Sequence, residues 1–288
     1  MLLAIDVGNT QMVVGVFTDT TTGRSGRQAE KIPGLIEHWR VATVRERTAD
    51  ELAAILRELA ALAGLHLPMR RRATTQSSKS SSQSMIDGIA VSSSVPTQTS
   101  ALREMAERFF DLPLVVVEPG IRTGMPILYE NPREVGADRI VNAVAALDLY
   151  SPPAIVVDLG TATTFDAISQ KGEYLGGAIA PGIEISMDAL FERAAALRRI
   201  ELGEPRAAVG KSTVDSMRSG AIYGFAGLVD GLCRRIQDEI GESTIIATGG
   251  LSSLISPYSQ AIQHVEPWLT LHGLRLLFLK NTDSDEAT

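Results

Sequence analysis

Residues 6–10 read Asp-Val-Gly-Asn-Thr and residues 158–164 read Asp-Leu-Gly-Thr-Ala-Thr-Thr, so an Asp-x-Gly turn occurs twice in this chain of 288 residues. Each turn follows a short apolar run, at residues 2–5 and 154–157, and precedes further residues that favour strands. The pattern predicts a β-hairpin at each place. Its repetition half a chain apart predicts two halves built on one plan.

The remaining periodicity predicts an α/β fold in both halves. Thr48 and Glu51 form a capping-box pattern at the start of an apolar helical stripe. A Ser-Pro-Pro break at residues 151–153 favours a boundary between an N-terminal α/β domain, 1–150, and a C-terminal one, 151–288. Further helices are predicted near 138–150, 184–199, 213–240 and 267–280, and strands near 86–95, 114–117, 163–169, 173–179 and 244–248.

Two polar segments interrupt this pattern. Residues 18–34 are rich in turn formers, and residues 73–84 are dominated by Ser and Gln after an Arg triplet at 70–72. Such segments bury too little apolar surface to offset their ordering entropy, so we expect a flexible surface insertion at about 70–85. The Arg triplet is more typical of a solvated flank than of a nucleic-acid patch.

Both turns have the chemistry of a phosphate site. Gly8 and Gly160 let the main chain approach an anion, and successive turn N–H groups form a concavity for it. Asp6 and Asp158 repel phosphate, so we expect them to act through a cation with hard oxygen ligands. Additional donors come from four side chains: Asn9, Thr10, Thr161 and Thr163. Either turn alone could simply close a hairpin; two facing turns could grip a nucleotide triphosphate.

Composition limits the function classes. Hydrophobic residues make up 44% and charged residues 21%, enough for ordinary cores. A net charge of −7 argues against nucleic acid as a partner. The single cysteine, Cys233, lies in an apolar helical stretch and suits a reducing compartment. We see neither a membrane-length apolar run nor a signal peptide and therefore expect a cytoplasmic protein.

Residues 129–139 form a third polar cluster. Asp138 and Arg139 follow a glycine at the start of a predicted helix, where the helix dipole favours an acid. The carboxylate could accept a proton from a substrate hydroxyl, and the guanidinium could hold a substrate carboxylate. An N-cap and a surface charge would explain the same pair. Glycines at 176–182 and 247–250 indicate either close ligand approach or tight turns.

Taken together, these segments resemble type III pantothenate kinase, a family of the acetate kinase, sugar kinase, Hsp70 and actin superfamily. The resemblance covers nearly the whole chain. It implies two ribonuclease-H/actin-like α/β domains with an interdomain cleft. The motifs that carry it lie at 6–10, 39–40, 46–48, 129–139, 158–166, 176–182, 210–213 and 247–250.

The resemblance also implies an activity, ATP-dependent phosphorylation of pantothenate as the first step of coenzyme A biosynthesis, by a homodimer. Asp138 would be the general base, Asp6 would serve Mg²⁺ through ATP, and Asp158 would bind K⁺ or NH₄⁺. The ATP-binding residues would be Asp6, Val7, Gly8, Asn9, Thr10, Gln11, Met12, Val13 and Thr161. The pantothenate-binding residues would be Tyr129, Gly136, Ala137, Asp138, Arg139 and Thr213.

Two other functions fit parts of the sequence. One is a kinase of the same superfamily that acts on another small molecule, which the Asp138-Arg139 pair disfavours. The other is a non-catalytic regulatory protein, since relatives of this family were described as accessory factors for transcription and a fold can outlive its catalysis. The insertions leave every expected site residue in place, which favours an active enzyme.

Overall fold

The computed structural model describes residues 1–18, 32–69, 85–110, 112–194 and 196–282. Most of the predicted surface excursion at 18–34 and nearly all of the predicted insertion at about 70–85 lie outside these ranges. The rest forms two five-stranded mixed sheets with flanking helices, which confirms the α/β fold class.

The first sheet has the strand order β3-β2-β1-β4-β5. β2 pairs antiparallel with both β1 and β3, whereas β4 pairs parallel with β1 and β5. Its strands are β1 (Leu2–Val7), β2 (Gln11–Phe17), β3 (Leu35–Ala42), β4 (Gly88–Ser93) and β5 (Leu114–Val116). The first predicted hairpin is therefore present as β1 and β2.

Helices cover both faces of the first sheet. The face of β1 that carries Leu3 and Ile5 packs in one core with α1 (Ala49–Leu62) and α2 (Pro96–Phe109). Thr48 caps α1 through a complete capping box with Glu51, as predicted. A helix from the end of the chain, α7 (Leu269–Thr282), contacts the strands through Leu271 and Phe278. A Cβ on Gly15 would lie 2.7 Å from Leu271, and one on Gly88 would lie 2.2 Å from Phe278, so these glycines permit the close approach.

The second sheet repeats the first, in the order β8-β7-β6-β9-β10. Its strands are β6 (Ala154–Leu159), β7 (Ala162–Ile168), β8 (Tyr174–Pro181), β9 (Thr244–Thr248) and β10 (His264–Val265). Its helices are α4 (Ile183–Arg193), α5 (Thr213–Ile240) and the short α6 (Ser252–Ile255). Cys233 is fully buried on α5 in the core that these elements share.

Contacts divide the chain into two compact units. The first contains residues 1–123, 136–141 and the helix α7 from Thr270 onward, and the second contains residues 124–135 and 142–269. The helix α3 (Ala137–Leu149) thus contributes its first turn to one unit and the remainder to the other. The predicted boundary at 150/151 separates the two sheets and, as a domain limit, stays a prediction.

Two elements differ from the sequence expectation. The helix predicted at 184–199 ends at Arg193, where Ala194 takes an extended conformation. Leu197 and Ile200 continue the apolar pattern because they pack on the second core from a non-helical chain. Sequence reasoning also misses β3, whose residues are mostly half-buried and lack a clear alternation.

Among the described residues, no helix combines the length and apolar character needed to cross a membrane.

Candidate active site

The first Asp-x-Gly turn connects β1 to β2. Val7 pairs with Met12, so residues 8–11 form the turn, and the Gly8 N–H donates to the Gln11 carbonyl at 3.0 Å. Asn9 and Thr10 are exposed at its tip. The turn therefore presents amide and hydroxyl groups to solvent. Among the predicted ATP-binding residues, the half-buried Asp6 and the buried Val7 end β1, while the exposed Gln11, the buried Met12 and the half-buried Val13 begin β2.

The chain after β3 holds this turn in place. The Thr43 hydroxyl donates to the Gly8 carbonyl at 2.8 Å, and the Thr43 N–H donates to the Thr10 carbonyl at 3.0 Å. The Arg45 guanidinium donates to the Asn9 side-chain oxygen at 3.3 Å. Sequence reasoning missed both residues; their place next to the Glu-Arg-Thr motif at 46–48 is the signal that could have found them.

The second turn, between β6 and β7, is one residue shorter. Leu159 pairs with Thr163, and the Gly160 N–H donates to the Ala162 carbonyl at 3.1 Å. Thr161, predicted to contact ATP, is half-buried at its centre. A Cβ on Gly182 would lie 2.2 Å from the Thr161 carbonyl oxygen, so glycine lets α4 begin directly against this turn.

Asp158, the predicted ligand of the monovalent cation, is enclosed by main chain and by an amide. Gly249 has a φ of +90°, and a Cβ there would lie 2.4 Å from the Asp158 Oδ1 atom. The Asn142 side-chain amide donates to Asp158 Oδ2 at 3.1 Å. Asn142, which sequence reasoning missed, is 1% exposed. The half-buried carboxylate is therefore oriented from two sides.

The first turn of α3 contains the predicted general base, Asp138, and the predicted substrate-binding residue Arg139. Asp138 is half-buried, and its Oδ1 atom accepts a hydrogen bond from the Arg139 N–H at 2.9 Å. A Cβ on Gly136 would lie 2.5 Å from the same oxygen, so glycine makes room for this carboxylate. Ala137, also predicted to line the pantothenate site, begins the helix and is half-buried. Arg139 is only 7% exposed, which excludes the interpretation of Arg139 as a surface charge.

Tyr129 lies against β8 of the second sheet. Leu128 and Pro126, in the chain leading to Tyr129, exchange two backbone hydrogen bonds of 2.8 and 2.9 Å with Tyr174. The Tyr129 ring lies 6.4 Å from the Tyr174 ring, and a Cβ on Gly176 would lie 2.9 Å from it. The fully buried Tyr174 hydroxyl in turn donates to the fully buried Asp166 carboxylate at 2.8 Å.

Thr213, the last predicted pantothenate contact, is the exposed first residue of α5. Ser212 caps this helix through the Asp215 N–H at 3.1 Å. A Cβ on Gly210 would lie 2.3 Å from the Ser216 nitrogen, so the chain folds back tightly over the helix start. The Gly-Lys-Ser-Thr motif thus builds a helix N-terminus.

The predicted residues fall in both units. Residues 6–13 and 136–139 belong to the first unit, whereas Tyr129, Asp158, Thr161 and Thr213 belong to the second. Carboxylate oxygens are suitable ligands for Mg²⁺ and K⁺, so Asp6 and Asp158 fit the cations assigned to them. Within the described ranges, no three His, Cys, Asp or Glu side chains cluster as a metal site.

Comparison with known proteins decides the family. Residues 2–235 match the family model of type III pantothenate kinase. The chain is 51% identical to the type III pantothenate kinase of Streptomyces avermitilis over 98% of both chains. It is also 51% identical to that of Moorella thermoacetica over 98% of this chain and all of the relative. The chain belongs to the type III pantothenate kinase family. The family resemblance expected from the motifs is confirmed.

Solved structures support the fold of this family member. A protein from Campylobacter jejuni described as a conserved Baf family transcriptional activator aligns with a TM-score of 0.57 and 16% identity, over 98% of this chain and 99% of that one. Component A of the (R)-2-hydroxyglutaryl-CoA dehydratase of Acidaminococcus fermentans aligns with a TM-score of 0.54 and 12% identity, over 99% and 98%. At these identities the likeness shows the fold alone.

Proposed function

We propose that this member of the type III pantothenate kinase family phosphorylates pantothenate with ATP, in the first step of coenzyme A biosynthesis. Membership over nearly the full length supports the substrates. The observation that carries the chemistry is Asp138 in the first turn of α3, half-buried over Gly136 beside the buried Arg139. A carboxylate in this position can act as a base, and a buried guanidinium can hold a carboxylate substrate.

In the proposed reaction, the Asp138 carboxylate takes the proton of the pantothenate hydroxyl. The hydroxyl oxygen forms a bond to the γ-phosphorus of ATP as the bond to the β–γ bridging oxygen breaks, which leaves ADP. Arg139, with Tyr129, Gly136, Ala137 and Thr213, would orient pantothenate. The N–H groups and side chains of residues 6–13, with Thr161, would orient the phosphates.

Two cations belong to this proposal. Asp6 would hold Mg²⁺ through ATP, and Asp158 would hold K⁺ or NH₄⁺. Both ions would supply positive charge against the crowded phosphate oxygens. The oxygen ligand chemistry of both residues and the hydrogen bond from Asn142 to Asp158 favour this assignment.

We also propose that the protein is a cytoplasmic homodimer. Seven of the twelve exposed large hydrophobic residues of the described chain lie in the second unit, between Leu128 and Tyr223. Val209 is 78% exposed and Ile179 65% exposed, and association of two copies would remove such side chains from water.

The net charge of −7 favours small-molecule substrates over nucleic acid.

The test is phosphopantothenate formation from ATP, pantothenate and Mg²⁺, followed by mass spectrometry in potassium and in sodium buffer. We expect product that depends on potassium. Asp138→Asn should lower kcat on the order of 10²–10⁴-fold because the base is lost. Asp148→Asn, an exposed carboxylate on the same helix, is the matched control and should keep kcat.

The outcomes separate the parts of the proposal. No product from the wild type, with ATP binding retained, would overturn the kinase assignment and favour the regulatory interpretation. Product from Asp138→Asn at nearly the wild-type rate would overturn only the role of Asp138 as base. Equal rates in sodium and potassium would overturn the cation assigned to Asp158.

A further inference from the structure

The loop at residues 43–48, between β3 and α1, is fastened to the first Asp-x-Gly turn. Thr43 makes two hydrogen bonds to carbonyl oxygens of that turn, at 2.8 Å to Gly8 and at 3.0 Å to Thr10. Because these bonds use both the hydroxyl and the N–H of one residue, the loop and the turn are positioned together. Any side chain on this loop therefore has a defined place relative to the turn.

Two side chains of α2 donate hydrogen bonds to the backbone of the same loop. Gln98 is 2% exposed, and its amide donates to the carbonyl oxygens of Arg45 and Arg47, both at 3.1 Å. The Thr97 hydroxyl also donates to the Arg45 carbonyl, at 3.2 Å. A buried amide whose two N–H groups are both used is a rigid support. The Arg45 carbonyl oxygen is thus held by two side chains of α2.

The Arg45 side chain reaches the tip of the turn. Its guanidinium donates to the Asn9 side-chain oxygen at 3.3 Å, and both residues are exposed. A guanidinium has five N–H donors, so this bond leaves others to face a ligand. Residues 6–13 contain an aspartate and no lysine or arginine. The turn has amide donors for phosphate but no positive charge of its own, and the Arg45 guanidinium is a cation hydrogen-bonded to its tip.

We propose that Arg45 is a phosphate-binding residue for the nucleotide and that Gln98 is the positioning residue that fixes it. The inference rests on the proposed function, because it takes the turn at residues 8–11 as the phosphate site. Arg45 binds oxygens of the terminal phosphates, where a planar guanidinium can make two parallel hydrogen bonds. Adenosine has no phosphate and AMP has only the α-phosphate, so neither has the terminal phosphates that Arg45 binds.

The first experiment is calorimetric binding of ATP, ADP and AMP, each with Mg²⁺, to the full chain and to Arg45→Ala. We expect the ATP dissociation constant to rise about ten-fold, since charge-assisted hydrogen bonds are the strong ones. The AMP dissociation constant should stay within about two-fold of the wild type. Arg45→Lys should recover part of the loss because it restores charge without the planar fork.

Arg57→Ala is the matched control, because Arg57 is an exposed arginine on α1 in the same unit. Equal weakening of ATP binding by Arg57→Ala and Arg45→Ala would reduce the effect to general charge and overturn the inference. Equal weakening of ATP and AMP binding by Arg45→Ala would also overturn it, since Arg45 would then act on the part that ATP and AMP share and not on the terminal phosphates.

A double-mutant cycle tests Gln98. Gln98→Ala should raise the ATP dissociation constant several-fold in the same calorimetry and leave that of AMP within about two-fold of the wild type, with folding checked by thermal unfolding. In an Arg45→Ala background the same change should have a much smaller effect. An equal effect in both backgrounds would overturn the positioning role. The binding and cycle measurements do not require a product. A wild type that makes no phosphopantothenate would therefore overturn the proposed function, and ATP binding alone would decide this inference.

Discussion

The two Asp-x-Gly turns stand on the same scaffold. β1 and β6 have the same burial pattern, and both sheets place the first hairpin between a third antiparallel strand and two parallel strands. In each, an aspartate is the half-buried residue next to the last of its strand. The shared plan puts a carboxylate and a glycine turn at the equivalent strand end in each sheet.

The turns differ in how they are held. The first, at residues 8–11, has an exposed polar tip supported by side chains, above all Thr43. The second, at residues 160–162, is supported by main chain that approaches closely at Gly182 and Gly249. The first turn keeps Asn9 and Thr10 exposed, whereas main chain packs closely on Asp158 at the second. One scaffold thus builds an exposed polar turn at residues 8–11 and a carboxylate cage around Asp158.

The same substitution at a glycine near each turn should therefore have unequal effects. Gly249→Ala places a Cβ 2.4 Å from Asp158 Oδ1 at a φ of +90°, so we expect the free energy of unfolding to fall by roughly 3 kcal/mol or more. Gly8→Ala places a Cβ 3.2 Å from the Gln11 carbonyl oxygen and should cost roughly 1 kcal/mol or less. Thermal unfolding of both variants measures the difference, and equal melting temperatures would contradict the contrast between the turns.

The next expected effect concerns the carboxylate cage. Asn142→Leu removes the amide that donates to Asp158 Oδ2 at 3.1 Å. Loss of such a supporting bond should raise the potassium concentration for half-maximal activity about ten-fold, with the KM for ATP unchanged at saturating potassium. Asn281→Leu removes another hydrogen-bonded amide, on α7, and serves as control. A potassium requirement that is the same in both variants would show that Asn142 does not orient the cation ligand.

A smaller effect is expected at the exposed polar turn. Thr43→Val removes the hydroxyl that donates to the Gly8 carbonyl at 2.8 Å and keeps the N–H bond to Thr10. We expect a cost of about 1 kcal/mol and a rise of a few-fold in the KM for ATP, without a change in potassium dependence. Thr99→Val, which removes a hydroxyl bond to Val95 on α2, is the control. A change in potassium dependence would mean that the two turns are not supported separately.

The smallest effect is a pH dependence confined to the second unit. Burial, and to a smaller extent the nearby Asp230 carboxylate, raises the pKa of the Cys233 thiol to about 12. The unfolded chain ionises this thiol at lower pH, so its contribution to stability is complete below the unfolded pKa and is lost as the pH rises toward the folded value. Wild type should lose about 0.5 kcal/mol more than Cys233→Ala between pH 7 and pH 9. Parallel pH profiles of the two proteins would contradict the shift.

Much of this could be predicted from the sequence because the signals are local. The Asp-x-Gly turns, the capping box at Thr48 and the helix beginning near Asp138 each depend on neighbouring residues. The strand β3 and the end of α4 could not be predicted. The mostly half-buried residues of β3 show no clear alternation of apolar and polar residues, and the chain after α4 contacts the core without being helical, so the apolar pattern does not mark the end of the helix. The roles assigned to the site residues stay predictions that the experiments above address.

The sequence by itself determined the two hairpins, the glycines at their turns and the residue types available for phosphate and cation chemistry. Only the tertiary structure decided which distant residues support them: Thr43 and Gln98 for the first turn, Asn142 and Gly249 for the second. The physical reason is that turns and caps follow from interactions between near neighbours in the chain, whereas the support of a loop or a carboxylate depends on which strands pair and which helices pack, and that is settled by the whole core.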